Sequence, residues 1–262
     1  MSEATSLLEL RGVSKRFGAV QALSGVDFEV DAGEVVALVG DNGAGKSTLV
    51  KVIAGTGPAD AGTIRFEGEE VTVTSPQAAT ALGIATVYQD LALCDNLDVV
   101  ANLFVGREAA RGVGRNLSVL DEVTMEHQAL GLLERLSVSI PSVRTEVASL
   151  SGGQRQSIAV ARATMGDPKV VILDEPTAAL GVAQTKQVLD LVRTLRSEGH
   201  GVIMISHNLV DVFAVADRVV VLRLGKRVAS FNVADTTAEE VVAAITGARH
   251  EEVRSTYASE AS

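Results

Sequence analysis

No tryptophan occurs in this sequence, and aromatic residues make up only 3% of its 262 positions. A core built without rings must rest on Val, Leu, Ile and Ala, and hydrophobic residues reach 47%. Cysteine is also scarce: the single Cys94 excludes an internal disulfide and fits a reducing compartment. No apolar run approaches the ~18 residues that a membrane-spanning helix needs. The opening "MSEATSLLELRG" lacks a basic segment followed by a long apolar stretch, so no signal peptide is expected. Basic residues number 23 against 33 acidic ones, for a net charge of −10. That balance argues against a nucleic-acid partner, which calls for a basic face. Small anions stay open, because backbone dipoles bind them locally. These absences predict a cytosolic protein that can still dock onto a membrane partner.

What is present alternates between two textures. Leu8–Val13, Val26–Val30, Val35–Val39 and Thr63–Phe66 read as strands, with turn signals at Asp31–Gly33 and Asp60–Gly62. A glycine loop follows Val39 and leads into a helix stopped by Gly55. Ile84–Tyr88 reads as another strand. From about Leu97 to Arg144 the pattern is helical, with Val123, Leu130 and Leu133 on one predicted inward face. "KVVILDE" is a continuous apolar run of the buried parallel-sheet kind. A helix over Ala183–Ser197, the strand "GVIMIS", a short helix from Asn208, a hairpin turning near Gly225 and a helix over Thr237–Thr246 complete the pattern. No internal repeat interrupts it. The expectation is one α/β domain over residues 1–246, with a mostly parallel sheet, an antiparallel β subdomain and an all-helical insert around 90–165. Residues 247–262 are expected to form a flexible tail.

Between a predicted strand and a predicted helix stands "GDNGAGKST", which fits G-x-x-x-x-G-K-[ST]. Gly40, Gly43 and Gly45 let the loop wrap with its N–H groups inward, together with Asp41, Asn42 and Ala44, as a nest for phosphate oxygens. Lys46 adds a point charge, and Ser47 and Thr48 open the helix, with the Ser47 hydroxyl available to Mg²⁺. Later, "VVILDEP" places Asp174 at the end of a buried strand to hold a metal shell. Glu175 follows, able to accept a proton from an attacking water.

A second anion site appears in "LSGGQ", Leu150–Gln154, where Ser151, Gly152 and Gly153 leave bare N–H groups at a helix start. In isolation this stretch reads as a helix cap. Gly40–Thr48, Gln89, Leu150–Gln154, Val170–Glu175 and His207, in this order and spacing, resemble the ATP-binding cassette (ABC) ATPases over about residues 6–246. The resemblance implies a P-loop NTPase fold, ATP and Mg²⁺ as ligands, and two cassettes packed head to tail. Ser151, Gly152, Gly153 and Gln154 would then cap the nucleotide held by the other copy's Lys46 loop. It implies that Gln89 is a switch glutamine serving Mg²⁺ or the attacking water, that His207 touches the γ-phosphate, and that Phe17 stacks on adenine. Each alone has a plainer reading: an exposed loop amide, a structural histidine, a ring at the core edge. After "EPT" the family commonly reads Ser-Ala-Leu-Asp, whereas here it is Ala178, Ala179, Leu180, Gly181. The missing carboxylate removes a charge from the expected dimer interface.

"SPQAATALGIATVYQDLALCDNLDVVANLFVGRE" and "EPTAALGV" are similar to the matching regions of bacterial ribose-, xylose- and fructose-type importers. That likeness implies the energising subunit of a monosaccharide importer, peripheral on the inner face of the cell membrane. Its partners would be a second cassette, transmembrane permease subunits and, indirectly, a periplasmic or surface sugar-binding protein. The insert around Leu91–Phe104 would receive the permease, with Leu91, Leu93, Leu97, Val99 and Leu103 either lining a groove or belonging to the core. An exporter ATPase and a non-transport relative stay open. The segment between Gln89 and Ser151 is too short for the coiled-coil arm of many non-transport relatives. A stand-alone phosphotransferase would leave Ser151–Gln154 without a task.

Overall fold

The computed structural model describes residues 6–112 and 118–248. In chain order they form β1 (Leu8–Phe17), β2 (Val20–Val30), β3 (Val35–Val39), α1 (Lys46–Ile53), β4 (Ala61–Phe66), β5 (Glu69–Val71), α2 (Pro76–Ala81) and β6 (Ile84–Val87). Next come α3 (Val99–Phe104), β7 (Ala110–Gly112), β8 (Ser118–Leu120), α4 (Glu122–Arg135), α5 (Gly152–Thr164), β9 (Val170–Asp174) and α6 (Val182–Ser197). The chain closes with β10 (Gly201–Ile205), α7 (Leu209–Val215), β11 (Arg218–Arg223), β12 (Lys226–Asn232) and α8 (Ala238–Thr246). The expected tail lies outside the described residues beyond Ala248.

The central sheet has the order β12-β11-β3-β10-β9-β6, parallel except for the β11–β12 hairpin. Its inner strands are buried on both faces, which is why they read as unbroken aliphatic runs. Alternation sorts their side chains. Val35, Ala37 and Val39 join a core under the helices, with Val171, Leu173, Val202 and Met204. Val36 and Leu38 point the other way, into a core shared with the antiparallel sheet β2-β1-β4-β5 and with α1. Phe28 is among the largest fully buried side chains of that second core.

The structure departs from the sequence reading in several places. The hairpin β1–β2 runs on through "SKRFGAVQAL" to a turn at Gly18–Ala19, with shifts in register along the way. Ala61 and Gly62 belong to a strand rather than a turn, and α2, opened by the Ser75 hydroxyl accepting the Ala78 N–H, had no helical signal. The insert carries α3, α4 and α5, but also the short ribbon β7–β8, so it is not all helical. The inward face of α4 is Met125, Ala129 and Leu133, while Val123 and Leu130 are 66% and 50% exposed. Glu122 and Glu126, on the same helix, reach Arg144 at 3.3 and 2.8 Å. Leu133 alone therefore holds its predicted place. Leu133→Ala should destabilise the fold by about 2–5 kcal/mol, and Leu130→Ala by less than about 1 kcal/mol, in urea unfolding.

Candidate functional site

Strands β3, β10, β9 and β6 lie side by side and run the same way, so their carboxyl ends open along one edge. In open parallel sheets ligands bind outside those ends. Here the four ends deliver the Gly40–Thr48 loop, Ser206–His207, Asp174–Glu175 and Gln89, one from each strand. Packing of the sheet gathers residues that the sequence spreads over more than half the chain.

The loop after β3 is fixed from beneath. Gly40 has φ +148°, and a Cβ there would lie 2.2 Å from the Leu222 carbonyl oxygen of β11. The Gly225 N–H of the β11–β12 turn donates to the Ala44 carbonyl at 2.9 Å, so that hairpin braces the loop. Asp41, Asn42 and Gly43 are exposed, as is Ser47, while Lys46 and Thr48 are half-buried. The Lys46 ammonium donates to the Gly40 and Asp41 carbonyls at 2.6 and 3.0 Å. Helix α1 starts after Gly45 with no side-chain cap and no acidic residue in its first turn. Its first N–H groups and the lysine thus concentrate positive charge at one point of an acidic protein.

At the end of β9, burial pushes the Asp174 carboxyl above its ordinary range. The Glu175 charge adds to the rise, and Lys46 opposes it. Asp174 thus feels both the neighbouring carboxylate and the lysine of the loop after β3. Glu175 adopts φ +51°, a left-handed conformation uncommon for a residue with a side chain. Its N–H donates to the Ile205 carbonyl at 2.9 Å, which holds the turn against β10. From the β10 end, His207 Nδ1 lies 2.8 Å from Glu175 Oε2. The carboxylate is 17% exposed and the ring 75%. A shielded carboxylate thus carries an accessible imidazole as its companion.

Among the described residues no hydrogen bond or ion pair ties Gln89, Phe17 or Ser151–Gln154 to Lys46, Asp174, Glu175 or His207. Gln89 is exposed just past β6. Phe17, at the end of β1, is 52% exposed, with the Lys15 ammonium 5.6 Å from its ring centroid. That exposure removes the core-edge reading for the ring. The tip of α5 is occupied with its own capping: the Ser151 hydroxyl accepts the Gln154 N–H at 3.3 Å, and Gln154 Oε1 accepts the Ser151 N–H at 3.0 Å. Gln154 also donates to the Ser139 carbonyl at 3.3 Å. The Ser151 hydroxyl only accepts in this cap, so its hydrogen is left to donate. A Cβ on Gly153 would lie 2.8 Å from Gln184 Cβ, so this glycine also lets α5 approach α6. Among the described residues no hydrogen bond or ion pair links Ser151–Gln154 to Gly40–Thr48.

Two features escaped sequence reasoning. A cavity of about 210 Å³ between the insert and β6 is lined by Tyr88, Leu91, Arg107 and Arg162, among others. Burial and the Arg107 charge hold the Arg162 guanidinium below its ordinary value, and it donates to the Ala92 carbonyl at 2.9 Å. Leu91 lines that cavity and Leu93 packs against the core, but Val99 and Leu103 are fully buried core residues rather than groove lining. Leu97 borders a separate shallow depression with Met125 and Arg144. The second feature is a buried pair, Thr177 and Asp211, whose partners stand too far apart in sequence to suggest each other. Among the described residues no helix is long and apolar enough to cross a membrane, and no cluster of three or more His, Cys, Asp or Glu forms a metal site.

A family model described as "ABC transporter" matches residues 23–178. The chain is 46% identical to the xylose/arabinose import ATP-binding protein XylG of Sulfolobus acidocaldarius, over 92% of this chain and 94% of that one. It is equally identical, 46%, to the fructose import ATP-binding protein FrcA of Rhizobium meliloti, over 93% and 95% of the two chains. Against the ribose import ATP-binding protein RbsA 1 of Rubrobacter xylanophilus it is 43% identical and spans 48% of that protein's length. Among solved structures, the ADP conformation of an ATP-binding cassette of an ABC transporter superposes with a TM-score of 0.78 at 27% identity, covering 95% of this chain and 98% of that one.

The site generates two expectations. Asp174→Asn removes a carboxylate whose charged form is disfavoured in the fold, so the ligand-free protein should melt higher at pH 7.5. A raised folded-state pKa makes that penalty accumulate as pH climbs from the unfolded value, 3.8, to the folded one, so the gain should shrink at acidic pH. Differential scanning fluorimetry at both ends of that range reads it; a lower melting temperature at pH 7.5 would contradict it. Gly153→Ala should destabilise the fold by about 1–3 kcal/mol through overpacking against Gln184.

Proposed function

The chain belongs to the ABC transporter family of ATP-binding cassettes, and from that membership we propose that it binds and hydrolyses ATP to energise a membrane importer of a monosaccharide. We take residues 1–246 as one cassette domain with its insert at about 90–165. The observation that carries the catalytic reading is the Glu175–His207 bond of 2.8 Å at the strand ends, beside Asp174 and the Lys46 loop. The substrate class rests on the names of the relatives, which are import proteins for xylose/arabinose, fructose and ribose.

Each residue has a task its position suits. The N–H groups at the start of α1 and the Lys46 ammonium receive the β- and γ-phosphates, Lys46 exchanging its bonds to Gly40 and Asp41 for phosphate oxygens. Phe17, open to solvent at the end of β1, offers a face for the adenine ring. Asp174, the Ser47 hydroxyl and the Gln89 amide oxygen are hard oxygen donors, the kind that suits Mg²⁺. Three such donors are too few to cage the ion alone, which fits a cation that arrives on the phosphates. Bound there, Mg²⁺ would neutralise charge on the transferring phosphoryl group. Glu175 accepts a proton from the attacking water as its oxygen bonds to phosphorus and the bond to ADP breaks. His207, hydrogen-bonded to that carboxylate, orients the water and meets the γ-phosphate.

The tip of α5 supplies the other half of the site. It is bonded to Ser139 and lies close against Gln184, and among the described residues no hydrogen bond or ion pair joins it to the Lys46 loop of its own chain. A second copy set head to tail would bring Ser151, Gly152, Gly153 and Gln154 to that nucleotide, and the Ser151 hydroxyl keeps a hydrogen to donate. Gly181 presents no carboxylate at the start of α6; its N–H is held by Gln184 at 3.2 Å. The cleft with Arg107 and Arg162 accommodates an element of a permease that offers apolar groups to Tyr88 and Leu91 and acceptors to the guanidinium groups. On this reading the protein works at the cytoplasmic face of the membrane, with any sugar-binding protein acting through the permease.

Two experiments test this reading. Glu175→Gln should bind ATP, turn over at least ~100-fold more slowly and accumulate as an ATP-bound dimer; an unchanged rate removes Glu175 from the chemistry. Ser151→Arg and Lys46→Ala should each abolish turnover alone, and mixing them should restore activity through one intact composite site per dimer. Absence of recovery in a mixture shown to contain mixed dimers contradicts the shared site.

A further inference from the structure

Thr177 and Asp211 are both buried polar residues with no part in the chemistry described so far. Thr177 stands two positions after Glu175, and Asp211 four positions after His207. Thr177 Oγ1 donates to Asp211 Oδ2 at 2.6 Å. A buried carboxylate left without its hydrogen bond is strongly disfavoured, so each residue fixes the place of the other.

The segments they belong to follow directly on the reactive pair: Thr177 lies in the turn after β9, and Asp211 in the first turn of α7, which follows His207. After β9 the chain turns sharply at Glu175, with the Ala178 N–H donating to the Glu175 carbonyl at 3.1 Å. After β10 the Ser206 hydroxyl accepts the Asn208 N–H at 3.0 Å, and α7 begins at Leu209. Among the described residues two side-chain bonds join these segments: the partly solvated Glu175–His207 contact and the buried Thr177–Asp211 bond. Only the second is shielded from water and from the exchange of partners that catalysis requires of the first. We propose that Thr177 and Asp211 are a positioning pair that keeps Glu175 and His207 in register for attack on the γ-phosphate. This rests on the reading of Glu175 as the base. Misplacement of a catalytic group by about 1 Å is worth up to ~100-fold in rate, so loosening this tie should act on turnover rather than on nucleotide affinity.

The test uses the full chain. Thr177→Val removes the hydroxyl at constant shape, and Thr177→Ser keeps it. Thr177→Val should lower kcat about 10-fold with KM for ATP within about 2-fold, and Thr177→Ser should restore kcat to within about 2-fold of wild type. In a His207→Ala background Thr177→Val should add less than about 2-fold, because the pair acts through the geometry that His207 uses. Should Thr177→Val fail to fold, Thr177→Ala carries the same expectations. Unaltered kcat, a loss that appears equally in KM, or losses that multiply with His207→Ala would overturn the proposal. Glu175→Gln run alongside separates the two failures: if it keeps wild-type turnover, the base assignment falls, whereas if it is slow and Thr177→Val is not, only the positioning role falls.

Discussion

Burial of both faces of the ladder β3-β10-β9-β6 is the constraint on which the site depends. A parallel strand covered on both sides tolerates little but aliphatic side chains, so the polar residues collect where the strands end. Because the four strands run together, their ends supply a phosphate loop, a histidine, an acid pair and a glutamine along one edge. The helices and the antiparallel sheet cover the two faces and leave that edge open. A shift of β10 relative to β9 would break the Glu175 N–H bond to Ile205 and separate Glu175 from His207.

Charge explains how an acidic chain presents a home for a highly charged anion. The overall balance is −10, yet the loop after β3 gathers lysine and backbone dipoles with no acid in the first turn of α1. Asp174 and Glu175 are both half-buried at the end of β9, and Lys46 eases the burial and repulsion that disfavour the Asp174 charge. Such a site favours a ligand bringing its own cation. The α5 tip has no lysine and spends its Ser151 and Gln154 N–H groups on its own capping box, so it is suited to closing over an anion that another loop already holds.

Much of this was legible in the sequence, for physical reasons. The phosphate loop, the acid pair and the α5 tip are local patterns in which spacing fixes geometry, and the buried strands announce themselves as aliphatic runs. The hidden parts depend on distant neighbours. The α4 face is set by packing against α3, so Val123 and Leu130, apolar but exposed, misled the period. The extension of β1 and β2 through "SKRFGAVQAL" is largely exposed and polar enough to pass for a loop. Gly153 reads as part of an anion nest, and only the fold shows that α6 needs its missing side chain. Thr177 and Asp211 are paired by the order of strands, which no local pattern carries.

The central claim is that one chain holds only half of each working site. Specific ATPase activity measured across a wide range of protein concentration, with sedimentation run in the same buffer, tests it most directly. The account predicts that activity per chain rises with concentration in step with the dimer fraction and fades toward zero on dilution. Constant activity per chain in samples that sediment as monomers throughout would contradict it.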